Sequence, residues 1–318
     1  MPVTSTEETQ TPQRLEAPQS TGPQSAGRGS RYEARHVRGT PKATGDPSDQ
    51  ITVVRPADWR TALDLRVVLP YKYLLYQLTR REVVLRFRQT FLGAAWVVIQ
   101  PLMTAGILTA IFAWIRAKNP NYQTFVVAMW ASVGWGLFQG CVSRGSQSIL
   151  TNAGLVRKVH FPRMLLPISS CCAVMVDTAV GGVAALLCSL FGGYHLPWRA
   201  FLVVPALIGC LALGTGIALA ASGISAKYRD VQYIVPFILQ VAIFGSPVAF
   251  SLASVSGGAR RVLGLNPLSG WIQLLRSAVS SEPWASGALI WSAAATAFML
   301  LLGLVVFVRT ERSMSDLI

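Results

Sequence analysis

Residues 165–191 read LLPISSCCAVMVDTAVGGVAALLCSLF and hold a single charged side chain, Asp177. As a helix rising 1.5 Å per residue, this run spans about 40 Å, more than the roughly 30 Å hydrocarbon core of a bilayer. Five more apolar stretches surround it, near 90–115, 123–143, 198–222, 232–250 and 285–308. Each is long enough to cross a membrane, and 232–250 only just. The fold class this predicts is all-α and integral to the membrane, with six transmembrane helices.

Composition agrees. Of 318 residues 52% are hydrophobic and only 13% charged, mean hydropathy is +0.45, and yet the formal net charge is +14. Soluble domains carry about 25% charged residues. A chain this apolar is not disordered throughout, and a soluble nucleic-acid binder needs a polar surface to carry its basic patch. Residues 1–58 contain seven basic and seven acidic side chains, so the entire excess lies in 59–318. There it is sorted by side. With the N-terminus inside, 15 of 21 basic residues fall on inner segments, which predicts cytoplasmic N- and C-termini.

The segment 1–50 is rich in Thr, Pro, Gly, Ser, Gln and Arg and poor in large apolar residues, so 1–58 reads as a disordered cytoplasmic tail and 59–318 as the transmembrane domain. No apolar run follows Met1, so the tail does not read as a signal peptide. Between Trp59 and Arg88 basic residues alternate with large apolar ones. Tyr71, Leu74, Leu75, Leu78 and Leu85 share a helical face that Glu82 interrupts, as in a helix lying in the membrane interface. Residues 251–284, with Gly257-Gly258 and Asn266-Pro267, read as short outer helices, re-entrant in part, before the last span.

The chemistry available is limited. There is no Gly-Lys dipeptide and hence no Walker A motif, and no His-Glu-x-x-His. Three histidines and five scattered cysteines make no metal site, and no catalytic residue is expected. Asp177 alone lies deep in a span. An intramembrane acid is a functional candidate, or else an inward-facing hydrogen-bonding group at a helix interface. Phe91, Trp96, Phe112, Trp130, Trp135 and Phe138 crowd the first two spans. Aromatic faces stack on sugar rings and could line a glycan channel; membrane belts and helix packing use the same residues.

The run Arg81-Glu82 through Leu85-Arg86-Phe87-Arg88, then Leu92-Gly93, Trp96 and Gln100-Pro101-Leu102, resembles the start of the polysaccharide ABC exporter permeases, type-2 ABC permeases that serve O-antigen, teichoic acid, capsule and cell-wall galactan. Phe87 stands where Tyr is usual in that family. Four further matches follow in order: Asn152–Pro167 with Arg157-Lys158 and Phe161-Pro162-Arg163; Lys227-Tyr228-Arg229-Asp230 with Ser246-Pro247-Val248; Asn266-Pro267 with Ile272 and Arg276; and Glu311 with Asp316-Leu317-Ile318.

The resemblance implies a homodimer with two separate ABC ATP-binding subunits, in the bacterial plasma membrane. ATP and magnesium would be held by those partners and no cofactor by this chain. The cargo would be a lipid-linked cell-envelope polysaccharide, and the partners would include membrane lipids but no nucleic acid. Asn152, Leu155, Arg157, Lys158, Phe161 and Arg163 would form the loop that couples to the ATPase. Arg80, Arg81, Arg86 and Arg88 would meet a lipid pyrophosphate, since guanidinium groups bind phosphate bidentately. The alternatives are a type-2 permease for a drug or free lipid, a membrane-embedded glycosyltransferase, and a scaffold. Asp230 and Glu282, on opposite predicted sides, weigh against the transferase.

Overall fold

The computed structural model describes residues 69–88, 93, 95–115, 121–159, 161–248, 250–251, 255, 257–280 and 286–314. These belong to the unit Arg55–Ile318, and the expected tail 1–58 lies outside the described residues. The described residues form helices α1 (Lys72–Phe87), α2 (Ala95–Ile115), α3 (Tyr122–Thr151), α4 (Ala153–Lys158), α5 (Leu165–Phe191), α6 (Val203–Lys227), α7 (Val231–Ala242), α8 (Gly257–Leu265), α9 (Ser269–Val279) and α10 (Ser286–Met314). Short 3-10 turns, Leu69–Tyr71 and Trp198–Leu202, precede α1 and α6.

Four of these are long and apolar enough to cross a membrane: Tyr122–Thr151, Leu165–Phe191, Trp198–Lys227 and Ser286–Glu311. The apolar helices Ala95–Ile111 and Val231–Ala242 are shorter. The protein is therefore membrane-embedded and helical. Helix α7 contains Pro236 and ends at Ala242, and turns follow it through Ser246. From Ile243 to Val248 its expected continuation is turns rather than helix.

Helix α3 is the centre of the bundle, with 78% of its most apolar window buried, against 17% for α10. It packs on α2, α5, α6 and α9, while α6 also packs on α10. Small residues make the close crossings, as expected where lipid leaves no hydrophobic drive between helices. A Cβ on Gly214 would lie 2.9 Å from Cys141 of α3, and one on Gly216 would lie 2.8 Å from the Met299–Leu300 backbone of α10.

Several hydroxyls in the bundle donate to carbonyls three or four residues back, which satisfies them within their own helix. Ser132 donates to Ala128 at 2.8 Å, Thr215 to Leu211 at 2.8 Å and Thr296 to Ser292 at 2.6 Å. Ser225 also reaches across to the Ser146 carbonyl at 2.6 Å and pins α6 to α3.

The expected end of the second span at 143, and with it a basic loop 144–164, is corrected: α3 continues to Thr151. The polar run is compatible with a buried helix because Ser146 donates to the Ser143 carbonyl at 2.9 Å and Ser148 to that of Gly145 at 2.8 Å. Asn152 then stops the helix, its Nδ2 donating to the Ser148 carbonyl at 2.9 Å. Arg144 thus belongs to the bundle.

Helix α9 is buried along its length, against α3, α6 and α10. Its approach is fixed by polar contacts to the turn after α7. Asn266 Nδ2 donates to the Gly245 carbonyl at 3.0 Å, and Arg276 Nη1 to the Val248 carbonyl at 2.9 Å. Trp271 Nε1 donates to Thr296 Oγ1 of α10 at 2.9 Å.

The α6–α10 crossing yields a test. Gly216→Val forces the two backbones apart and should destabilise the bundle by about 1–3 kcal/mol, the usual range for overpacking. Thermal melting in detergent should show the loss, and Gly106→Val, at a position where a Cβ meets nothing within 4 Å, should not.

Candidate functional site

Helix α1 lies against α5, and only one of its residues, Leu78, is fully buried. Leu74, Leu75 and Leu78 pack in a cluster with Ile149, Leu165, Leu166 and Phe307. The expected apolar face is rotated. Tyr71 and Leu85 are exposed, and the inward side continues from Leu78 to Glu82 and Arg86 at intervals of four. The residue that broke the apolar pattern is thus an anchor: Ser170 Oγ of α5 donates to Glu82 Oε2 at 2.9 Å, and Thr79 Oγ1 donates to the Ser169 carbonyl at 3.5 Å.

One turn further on, Arg86 Nη1 donates to Asp177 Oδ2, and Arg144 Nη1 donates to the same oxygen at 2.8 Å. The Asp177 side chain is 12% exposed, the Arg86 and Arg144 side chains 33% and 29%. Three helices, α1, α3 and α5, therefore meet at one carboxylate.

These charges line a cavity of about 260 Å³. The rest of its wall is neutral: Gln100, Pro101 and Thr104 of α2, Ser132, Trp135, Gln139 and Ser143 of α3, and Thr178 and Gly181 of α5 among others. Pro101 lacks the donor that would bond the Val97 carbonyl, which leaves that polar group on the same wall. A pair of guanidinium groups sharing one carboxylate, inside a wall of hydroxyls and amides, suits a polar ligand that carries negative charge.

Burial pushes the Glu82 carboxyl above the ordinary 4.5, and the Ser170 hydrogen bond and the Arg144 and Arg86 charges oppose this only in part. Burial likewise lowers Arg86 from its ordinary 12.5, with Glu82 opposing.

The other predicted residues separate into groups. Arg80 and Arg81 are exposed on α1, away from the inward side that carries Arg86, and Arg88 is exposed just past its end. Arg157 and Lys158 are exposed on the last turn of α4, while Leu155 and Phe161 pack on the Leu78 cluster. Arg163 donates its backbone N–H to Glu311 Oε1 of α10 at 3.4 Å.

Of the aromatics, Trp135 lines the cavity and stacks at a tilt on buried Phe138, with 5.8 Å between ring centroids. Trp130 is buried and donates to Ser189 Oγ at 3.3 Å. Trp96 is exposed on α2. Phe91 and the side chain of Phe112 lie outside the described residues. Arg144 was missed as a site residue because it sits among serines and glycines that read as a loop; its spacing of three from Cys141 continues the buried face of α3 and was the available signal.

The profile of the ABC-2 type transporter family matches residues 73–279, which includes α1, the cavity and α9. The chain belongs to the ABC-2 type transporter family. It is similar to an O-antigen export system permease protein, RfbA, of Myxococcus xanthus, at 26% identity over 207 residues, 64% of this chain and 79% of the relative. A Klebsiella pneumoniae protein of the same name is 23% identical over 272 residues, 81% of this chain and the whole relative. The polysialic acid transport protein KpsM of Escherichia coli is 25% identical over 241 residues, 74% and 92% of the two chains. These ABC-2 relatives are named as permeases and transport proteins, not as enzymes.

The raised Glu82 carboxyl predicts a pH dependence. The docked state favours the protonated form, so this group's contribution is present at acidic pH and is lost as pH rises through the raised value. Melting temperature should fall between acidic and neutral pH in the wild type, and Glu82→Gln, which stays neutral, should reduce that fall. An identical pH profile in the variant would remove Glu82 as the cause.

Proposed function

We propose that the chain is the transmembrane subunit of an ATP-driven exporter that carries a lipid-linked cell-envelope polysaccharide out of the cytoplasm. The observation that carries this reading is the set of relatives named for O-antigen export and polysialic acid transport, which match this chain over most of their own length. The cavity supports it, because its wall of amides, hydroxyls and Trp135 presents groups that bond and stack on sugars, with arginines at its edge for a phosphate.

In this reading six spans cross the plasma membrane: α2, α3, α5, α6, α7 and α10. Helix α7 is only about 18 Å long at 1.5 Å per residue, so its crossing includes the turn to Val248. Helix α1 lies in the cytoplasmic interface, and α8 and α9 form the re-entrant segment on the outer side. Arg80, Arg81 and Arg88 face lipid head groups. Both termini are cytoplasmic.

Two copies pair with each other and with two ATP-binding subunits, which hold the ATP and magnesium. The exposed apolar faces of α2 (Trp96, Met103, Ile107) and α7 (Tyr233, Phe237, Val241) border the path that opens between the copies. Helix α4 couples this to the ATPase. It is a one-and-a-half-turn element between two long helices, with Arg157 and Lys158 free on its surface to meet acidic residues.

The experiment is charge reversal. Arg157→Glu with Lys158→Glu should leave the amount of protein in the membrane unchanged, abolish co-purification of the ATP-binding subunit and stop surface delivery of the glycan. Normal pairing and delivery in that variant would refute the coupling role of α4.

A further inference from the structure

We propose that Asp177 is a positioning residue: its carboxylate holds Arg86, and with it the C-terminal end of α1, at the edge of the cavity, while Arg144 fixes the carboxylate from α3. The inference rests on the exporter reading for its consequence in transport, and on geometry alone for the contact.

The argument begins with what else holds α1. Most of its packing is on α5, its leucines also reach Ile149 of α3 and Phe307 of α10, and one side chain, Leu78, is buried. The three leucines that pack inward lie in its first half. Beyond Leu78 the inward contacts are polar: Thr79 to Ser169, Glu82 to Ser170, and Arg86 to Asp177. The first two reach only α5, and one ends on a backbone carbonyl. The third is an ion pair, and its anion is also held by α3. It is thus the contact that fixes the second half of α1 to the central helix of the bundle. Gly93, six residues past the end of α1, has φ +48, a left-handed conformation that glycine tolerates best. A helix held by apolar packing at one end and an ion pair at the other, followed by a glycine turn, has its position set by the ion pair.

The charge count makes the contact conditional. Around the cavity stand two guanidinium groups, Arg86 and Arg144, and the carboxylate of Asp177, with Glu82 one turn before Arg86. Asp177 lies between the cations and is the more enclosed, at 12% exposure. Without it, two part-buried cations stand close together, one of them on α1. Neutralising one member of an enclosed pair leaves the other charges uncompensated, which costs more than the pair itself is worth.

The same geometry explains why the intramembrane acid needs no proton-relay role: among the described residues both of its ion-pair partners are arginines, which keep their protons at physiological pH.

The test uses the full chain in lipid nanodiscs, with its five cysteines replaced and melting checked against the wild type. Spin labels at Leu85→Cys on α1 and Val183→Cys on α5, both exposed positions, report the separation of the helices by pulsed electron resonance. A second pair, Val183→Cys and Leu301→Cys, reports whether the bundle is intact. The parent should give one narrow distance on the first pair. Asp177→Asn should add a longer, broad population with the second pair unchanged, and the swap Arg86→Asp with Asp177→Arg should recover part of the narrow distance lost in Asp177→Arg alone, because α1 then brings an anion to the cations of α3 and α5. A narrow distance in Asp177→Asn, or a swap no better than Asp177→Arg alone, overturns the assignment.

In cells, Asp177→Asn should lower surface glycan severalfold, since it leaves enclosed cations without their anion, and Asp177→Glu should retain most of it. Unchanged delivery in Asp177→Asn overturns the transport role of this contact. Depletion of the wild-type chain tests the exporter reading by itself: if surface glycan then persists, that reading fails while the label distances still decide the position of α1.

Discussion

An ionised carboxylate removed from water must recover its hydration energy from cations held close to it, or it will not remain charged. Asp177 does this twice, with Arg86 and Arg144, and the rest of the site follows from that arrangement. The two arginines bring α1 and α3 to α5. Their meeting leaves a cavity bounded on one side by charge and elsewhere by amides, hydroxyls and Trp135. In an apolar chain, each charged group inside the bundle restricts how the helices can be arranged, because few arrangements satisfy it.

The neutral polar groups obey the same constraint more locally. Ser132 of α3 and Thr215 of α6 bond carbonyls on their own helices, so such groups can be buried without choosing a neighbour, while Ser225 also reaches across to α3. Neighbours are chosen instead by shape, where glycines let backbones approach. Gly214 and Gly216 face α3 and α10 from the same helix and make α6 the element shared by two close crossings. Charge thus fixes one end of the bundle and shape fixes its middle.

This division explains what could be read from the chain. Helices α3, α5, α6 and α10 were legible because an apolar run longer than a membrane has few other uses. The end of α3 was not, since Ser143, Arg144, Gly145 and Ser146 look like a loop until the internal hydroxyl bonds and the distant Asp177 are known. Arg86 was legible as a site residue, but its separation from Arg80, Arg81 and Arg88 was not: periodicity was read from the leucines, and the inward face continues through polar side chains. The partners of Asp177 lie 91 and 33 positions before it, and no local pattern encodes the pairing.

The contacts from α9 to the turn after α7 bear on motion. Asn266 and Arg276 bond the carbonyls of Gly245 and Val248, and α9 is enclosed by α3, α6 and α10. The C-terminal end of α7 is therefore tethered to a buried part of the bundle, while its N-terminal end follows the three residues Tyr228–Asp230 after α6. A displacement of α7 is then a swing about its tethered end, largest near Val231 and smallest near Ser246. In the proposed exporter, a small push at the α6–α7 junction would then open a wedge rather than a uniform slot.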